Sequence, residues 1–315
     1  MTDQNFADRL SAAIRAKRTS TCVGIDPLYE RLPADISERA GFDDESDNEC
    51  ALDAVREFCR AVIKIVAPLV PVVKINAAFF ETYYGPGLEA YFDLVQEARS
   101  RGLIVIGDVK RGDVGHSSAA YAQAHLSHPS LRDADELMIP DAITVNPYFG
   151  LDGVKPFIDA ARRDQKGVFV LVQTSNESAV NIQGAKLADG QTVAQSIARM
   201  VHEWSGDDGL IGSCGYSSIG AVVSPRDAAS TAVLRSLMPR CFFLVPGFGA
   251  QGRDSGDVAP CFNPDGGGAI VTASRSVIYA YEEMKYIELY ASEWEKCVER
   301  ACRDFISAVA SATKP

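Results

Sequence analysis

Acidic and basic residues alternate in one short run of the sequence, D-V-K-R-G-D at 108–113, which directly follows an apolar segment. Successive strand residues point to opposite faces, so Asp108 and Lys110 leave the same face of a strand. Lys74 lies inside another apolar segment, where a lysine is unfavourable unless a carboxylate pairs with it. Fixed carboxylates and amines can transfer protons and stabilise charge that develops on a substrate. The alternative is a buried ion-pair network that only fixes strand register.

The elements that position these residues are short, β-branched apolar runs that alternate with segments of helical period. Val55, Phe58 and Val62, for example, fall on one helical stripe between the first two runs. Strands that alternate with helices indicate parallel β-α units, and eight units in about 250 residues match a (β/α)8 TIM barrel. A doubly wound open sheet is the competitor, but no G-x-G-x-x-G follows the first run. The predicted strands are 21–26, 72–78, 103–110, 141–147, 167–175, 218–224, 241–249 and 268–275.

A second pattern suits an anionic group. In TIM barrels, phosphate often binds to the loops after the seventh and eighth strands and to the start of the following helix. Here these places hold the run G-A-Q-G at 249–252 and the run S-R-S at 274–276. Small residues let backbone N–H groups approach an anion, and Arg275 can add a bidentate contact. The two loops therefore predict a phosphate site.

Two segments have the composition of insertions. Residues 41–49 are acidic and rich in turn formers, which indicates a solvated loop. Residues 251–267 are rich in Gly, Pro and Asp, and form either a mobile lid over the barrel mouth or a long surface loop. Apolar residues at helical spacing predict one closing helix over 287–309. Nothing in the sequence divides the chain, so residues 1–315 are expected to form a single domain with loop insertions.

Composition narrows the class of protein. The 315 residues are 47% hydrophobic and 23% charged, as in soluble globular proteins, and the net charge of −11 disfavours nucleic acid as a partner. The start of the chain lacks an apolar signal core, and no apolar stretch is long enough for a membrane span. The eight cysteines are scattered, which favours free thiols in the cytoplasm over disulfides or a metal site.

At these residues the sequence resembles the orotidine-5′-phosphate decarboxylases, the last enzymes of UMP synthesis, and in particular their bacterial type 2 branch. The D-x-K-x-x-D run at 108–113 carries the signature, and further motifs occur in order along most of the chain. These are GIDP at 24–27, VKIN at 73–76, TVNPYFG at 144–150, QTSNES at 173–178, VPGFGAQG at 245–252 and ASRS at 273–276.

The resemblance implies decarboxylation of orotidine 5′-monophosphate to UMP without a metal or other cofactor. The implied catalytic residues are Lys74, Asp108, Lys110 and Asp113. Loss of CO2 from C6 leaves an electron pair that the ring delocalises poorly, so a cation fixed at C6 is the direct remedy. Lys110 can serve as both that cation and the proton donor. Asp108 would lie near the departing carboxylate and could repel it. Preorganised electrostatic stabilisation of the transition state is expected to contribute more to the rate than this like-charge repulsion.

The resemblance also implies a homodimer whose active sites lie at the subunit interface, with Asp113 and Ser117 contributed by the partner. Ribose would bind to Asp26 and Lys74, and the pyrimidine edge to Ser175, with Thr174 as a rival. The implied phosphate ligands are Gln251, Ser274 and Arg275.

Two other functions are compatible with the same fold. A sugar-phosphate aldolase or decarboxylase of the wider family would use a divalent metal, but such relatives have a carboxylate where this chain has Lys74. A non-catalytic nucleotide-binding barrel is expected to have lost one of the four catalytic charges, yet all four are present. Asn76, Asn146 and Arg253 lie near the predicted mouth without an assigned role, and His116, beside Asp113 and Ser117, is either an interface residue or a surface histidine.

Overall fold

The computed structural model describes residues 4–38, 48–127, 138–249, 255–291 and 293–312. In these residues, parallel strands close into a barrel in the order of the sequence, so the expected (β/α)8 fold is confirmed. Every strand overlaps its predicted run, and only β3 and β6 extend one residue beyond it. The strands are β1 (Thr21–Ile25), β2 (Val72–Asn76), β3 (Ile104–Arg111), β4 (Ala142–Val145), β5 (Gly167–Gln173), β6 (Ser217–Val223), β7 (Cys241–Val245) and β8 (Ala269–Ala273).

Helices cover the outside of the barrel, because each parallel strand must return to the same end of the sheet before the next begins. Within the described residues they are α1 (Phe6–Lys17), α2 (Ala34–Ser37), α3 (Asn48–Val66), α4 (Ala78–Glu81), α5 (Tyr84–Ser100), α6 (Gly115–Leu126), α7 (Gly150–Arg163), α8 (Ala179–Gln183), α9 (Val193–Ser205), α10 (Ala228–Leu237), α11 (Ser255–Val258), α12 (Arg275–Ile278), α13 (Met284–Tyr290) and α14 (Trp294–Ala312). None of these helices combines the length and apolar character needed to cross a membrane.

Alternation along the strands separates two apolar layers. Outward side chains such as Val23 and Ile75 pack against the helices. Inward side chains such as Cys22 and Ile106 pack inside the barrel. Towards the carboxyl end, the inward positions become polar, and Lys74 follows Val72 on the inner face of β2. The barrel is therefore filled at one end and open to polar chemistry at the other.

Helix α1 closes the filled end of the barrel. Its N-cap is Asn5, whose side chain accepts a hydrogen bond from the backbone N–H of Ala7 at 2.7 Å. Phe6 then packs edge-on against Phe169 of β5, with ring centroids 6.1 Å apart. Gly167 leaves room for this ring, since a Cβ there would lie 2.4 Å from Phe6. Helix α1 thus covers the end of the barrel opposite the polar one.

The structure corrects one element and limits two others. The single closing helix expected over 287–309 is wrong, because α13 ends at Tyr290 and is followed by Ala291, which has a positive φ of 52°, before α14 begins at Trp294. Residues 41–47 of the first insertion lie outside the described residues, and α3 begins at Asn48. Of the segment 251–267, residues 255–261 form α11 and a 3-10 turn, and 251–254 lie outside the described residues. Lid closure therefore stays a prediction.

Candidate active site

A cavity of about 240 Å³ opens at the carboxyl ends of the strands, where TIM barrels carry their chemistry. Charged side chains line it on the side of β1 to β3, and apolar side chains line it on the side of β5 to β7. The lining residues are Asp26, Lys74, Asp108, Lys110, Thr144, Leu171, Thr174, Ser175, Val222, Leu244, Pro246, Gly247, Phe248, Thr272, Ser274 and Arg275.

Asp108 is the centre of a charged row in this cavity. Its Oδ2 atom lies 2.7 Å from Lys74 Nζ, and its Oδ1 atom lies 2.6 Å from Lys110 Nζ. Lys74 Nζ also lies 3.5 Å from Oδ1 of Asp26, the residue that directly follows β1. The side chains of Lys74 and Asp108 are more than nine-tenths buried, whereas that of Lys110 is 49% exposed. The half-exposed ammonium of Lys110 is thus the one best placed to meet a ligand.

Burial and pairing act in opposite directions on these groups. Burial alone would raise the pKa of Asp108, but the neighbouring ammonium groups of Lys74 and Lys110 outweigh it and hold that pKa well below its usual range. Burial alone would lower the pKa of Lys74, but Asp108 and then Asp26 outweigh it and raise that pKa above its ordinary value. The buried pair is therefore fully charged at neutral pH, and its field is fixed before a ligand enters.

Thr144 on β4 belongs to the same network, although sequence reasoning gave it no role. Its hydroxyl donates to Asp108 Oδ1 at 2.9 Å and accepts from the backbone N–H of Lys110 at 2.9 Å. Threonine is common in strands of β-branched residues, so its presence at position 144 does not by itself indicate a functional role. Its position two residues after the inward-facing Ala142 could have placed it on the inner face of the barrel.

An apolar wall lies across the cavity from the charged row. Leu171, Val222 and Leu244 come from three successive strands, and Phe248 follows β7. The sequence pattern identifies Leu171, Val222 and Leu244 only as strand residues, because an inward apolar residue at the barrel mouth has the same pattern as a core residue. A cavity with one charged and one apolar wall can bind a polar ring and also weaken the hydration of a carboxylate placed between the walls.

The predicted anion end also lies on this cavity. Ser274 and Arg275 line it, and Arg275 is exposed, with no carboxylate at ion-pair distance among the described residues. Gly24 lets β1 approach Ser274 closely, since a Cβ there would lie 2.8 Å from the serine Cβ. The third predicted phosphate ligand, Gln251, and the unassigned Arg253 lie outside the described residues.

Ser175 and its rival Thr174 both line the cavity beyond β5. The hydroxyl of Thr174 accepts a hydrogen bond from Gln183 Nε2 at 2.8 Å and lies 2.7 Å from Asn176 Oδ1. The Thr174 hydroxyl is thus engaged within its own loop, and both residues remain candidates for contact with a ligand.

Asp113 and Ser117 do not join the charged row within one chain. The Asp113 carboxylate accepts a hydrogen bond from the N–H of Val114 at 2.7 Å, and Ser117 is exposed on α6 beside the exposed His116. Neither Asp113 nor Ser117 lines the cavity.

Two of the unassigned polar residues shape loops. Asn76 Oδ1 accepts from the backbone N–H of Ala78 at 3.2 Å, and Asn146 Oδ1 accepts from that of Tyr148 at 3.0 Å. These side chains therefore stabilise the turns that follow β2 and β4. Across the described ranges, no cluster of three or more His, Cys, Asp or Glu residues has the arrangement of a metal site.

Comparisons with known proteins agree on one family. The model of the orotidine 5′-phosphate decarboxylase / HUMPS family matches residues 20–290. The orotidine 5′-phosphate decarboxylase of Rhodopirellula baltica is 37% identical over 94% of this chain and 96% of its own. That of Caldicellulosiruptor saccharolyticus is 34% identical over 98% of this chain and 99% of its own.

A solved structure leads to the same family. The crystal structure of a candidate orotidine 5′-phosphate decarboxylase from Streptomyces avermitilis superposes with a TM-score of 0.76 at 30% identity, over 99% of this chain and 97% of that one. Sequence and fold therefore agree along nearly the whole length, and the chain belongs to the orotidine 5′-phosphate decarboxylase / HUMPS family.

Proposed function

We propose that this chain, as a single domain over residues 1–315, converts orotidine 5′-phosphate to UMP and CO2 in pyrimidine biosynthesis. The observation that carries the proposal is the half-exposed Lys110 ammonium, held 2.6 Å from the buried Asp108 carboxylate in a cavity that also contains Arg275. The cavity thus offers a fixed cation for the reacting carbon and a second cation, which has no carboxylate partner among the described residues, for the phosphate. The relatives that match almost the full chain carry the same activity in their names.

The proposed binding roles follow the geometry of the cavity. Asp26 and Lys74, 3.5 Å apart, would hold the ribose hydroxyls, and Ser175 would read the pyrimidine edge. Ser274 and Arg275 would hold the phosphate, with Gln251 as the further ligand implied by the family resemblance. The buried charges of Lys74 and Asp108 are paired with each other at 2.7 Å, so they need little rearrangement when the substrate binds.

The proposed chemical step uses protein side chains. As the bond between C6 and the carboxylate breaks, its electron pair stays on C6 and CO2 leaves. Lys110 stabilises that pair and then transfers a proton to C6, which gives UMP and a neutral amine that solvent reprotonates. Asp108 fixes the ammonium and adds negative charge near the substrate carboxylate, while the wall of Leu171 and Val222 surrounds the departing CO2 with apolar groups.

We further propose a cytoplasmic homodimer in which Asp113 and Ser117 complete the site of the partner subunit. Exposed apolar side chains near Asp113 support this proposal. Val114, the next residue, is 54% exposed, and Tyr148, Phe149 and Leu151 are exposed at the start of α7. Helices α6 and α7 pack side by side here, and the hydroxyl of Ser118 donates to the Gly153 carbonyl at 2.5 Å. Large exposed apolar side chains of this kind are typical of a face that a second subunit covers.

The test is an assay of orotidine 5′-phosphate decarboxylation with and without a chelator, on wild-type protein and on Lys110→Ala. The wild type should decarboxylate the substrate at the same rate in both conditions. The variant should lose at least about 10⁴-fold in kcat, because one side chain supplies both the charge stabilisation and the proton.

Lys296→Ala is the matched control, since Lys296 is an exposed lysine on α14 paired with Glu293. It should retain wild-type kcat. Circular dichroism must show that all variants fold, and sedimentation of the wild type tests the dimer. Wild-type turnover in Lys110→Ala, or an absolute requirement for a divalent metal, would refute the proposed mechanism.

A further inference from the structure

Thr144 lies where the pairing of β3 with β4 is irregular. Gly107 pairs with Ile143, and the next registered pair is Arg111 with Val145. Between these two pairs, β3 contains the three residues 108–110 while β4 contains Thr144 alone. The two additional residues form a bulge, the kind of irregularity that re-aims side chains near active sites.

The bulge places Lys110 in an unusual backbone conformation. Its φ is 45°, in the left-handed region that side chains other than glycine rarely adopt. Its backbone N–H donates to the Thr144 hydroxyl at 2.9 Å. The side chain of one β4 residue thus contacts the backbone of β3 within the bulge.

The same hydroxyl also has a fixed direction. It has a single proton, and it accepts from Lys110 N–H, so its own proton points to Asp108 Oδ1 at 2.9 Å. That carboxylate oxygen also receives the Lys110 ammonium at 2.6 Å. Thr144 therefore closes a ring of contacts that joins the backbone of Lys110 to the carboxylate on which its ammonium rests.

We propose that Thr144 is a positioning residue for decarboxylation, which sets the place of the Lys110 ammonium relative to the reacting carbon. The inference rests on the roles proposed above for Asp108 and Lys110. A lysine side chain has four rotatable bonds, so fixing both its backbone and its terminal contact removes most of its alternatives. Without the Thr144 hydroxyl, Lys110 still carries its charge but holds it less often at the productive position.

Two variants separate the hydroxyl from the rest of the side chain. Thr144→Val keeps the shape of the buried side chain and removes both hydrogen bonds, whereas Thr144→Ser keeps the hydroxyl and removes only a methyl group. We expect Thr144→Val to lose about 10- to 100-fold in kcat. The KM of Thr144→Val for orotidine 5′-phosphate and its Kd for UMP should stay within about threefold of wild type, and Thr144→Ser should be close to wild type in all three quantities.

The outcomes distinguish this inference from the proposed function. If Lys110→Ala is inactive and folded Thr144→Val has wild-type kcat, only the role of Thr144 is overturned. The same holds if Thr144→Ser is as impaired as Thr144→Val, or if kcat and the affinity for UMP fall together. Wild-type kcat in Lys110→Ala would overturn the proposed function itself. If Thr144→Val does not fold, Thr144→Ala removes the same two bonds from a smaller side chain and is subject to the same criteria.

Discussion

Two inactive variants should restore activity to each other if the active site is shared between subunits. Lys110→Ala removes the cation inside the cavity, and Asp113→Asn removes a carboxylate that, in one chain, does not line the cavity. In a mixed dimer with shared sites, one site combines both substitutions. The other combines an intact Lys110 with an intact Asp113, and it should work as in the wild type.

The size of the recovery follows from counting sites. With equal amounts of the two variants and free exchange, about half of the dimers are mixed, and each of these has one intact site of two. About one quarter of all sites should then be active, so kcat per subunit should approach about one quarter of the wild-type value. Each variant alone should be lower by about 100-fold or more, so this signal stands well above the background.

The assay is orotidine 5′-phosphate decarboxylation before and after mixing, with subunit exchange followed by native mass spectrometry of mass-labelled protein. The control mixes Lys110→Ala with Asp108→Asn, whose native side chains touch within one chain at 2.6 Å. No mixed dimer of that pair has an intact site, so its activity should not recover. Absence of recovery in the first mixture after demonstrated exchange, or equal recovery in the control, would refute a shared site completed by Asp113.

Three further predictions concern binding and stability. Arg275→Ala should raise the KM for orotidine 5′-phosphate by about 10- to 100-fold, because a charge-assisted contact to phosphate is lost, whereas turnover of orotidine itself should hardly change in steady-state assays. Asp108 has a depressed pKa in the folded state, so its stabilisation is present above the unfolded-state pKa of about 3.9 and is lost as pH falls through the folded-state value. Urea unfolding should accordingly show a wild-type advantage over Asp108→Asn that is constant from about pH 7 to pH 5 and shrinks below about pH 4. Phe6→Ala should lower the free energy of unfolding by about 3–5 kcal/mol in the same assay, since the ring is 1% exposed against Phe169.

The barrel and much of the candidate site could be predicted from the sequence. The period of two in strands is enough to place Asp108 and Lys110 on one face, and the need of a buried amine for a carboxylate is enough to bring Lys74 to them. Each predicted contact is present, at 2.6 and 2.7 Å. The order of strands around the barrel adds Asp26 and Arg275, because strand ends meet at one mouth.

Other parts of the site depend on information that a strand pattern does not contain. Leu171 and Val222 have the residue types and period of core positions, and only the shape of the mouth makes them a ligand-facing wall. The break at Ala291 depends on one residue with a positive φ that is not a glycine, so the sequence carries no turn signal there. The role proposed for Asp113 requires a second subunit, which the pattern of a single chain cannot represent.

The six consecutive residues 108–113, which include the bulge in β3, lie in three different surroundings. A regular strand would send alternate side chains to two faces, yet the charges of the run 108–113 separate further. Asp108 and Lys110 meet in the cavity, whereas Arg111 turns outward to pair with Glu81, with its guanidinium 5.5 Å from the ring of Tyr121. That outer pair holds the end of β3 against the helices, directly before Gly112 leads the chain out to the surface. The left-handed Lys110 thus marks the point at which the backbone passes from the charges that face the cavity to Arg111 in the helix layer and Asp113 beyond the strand.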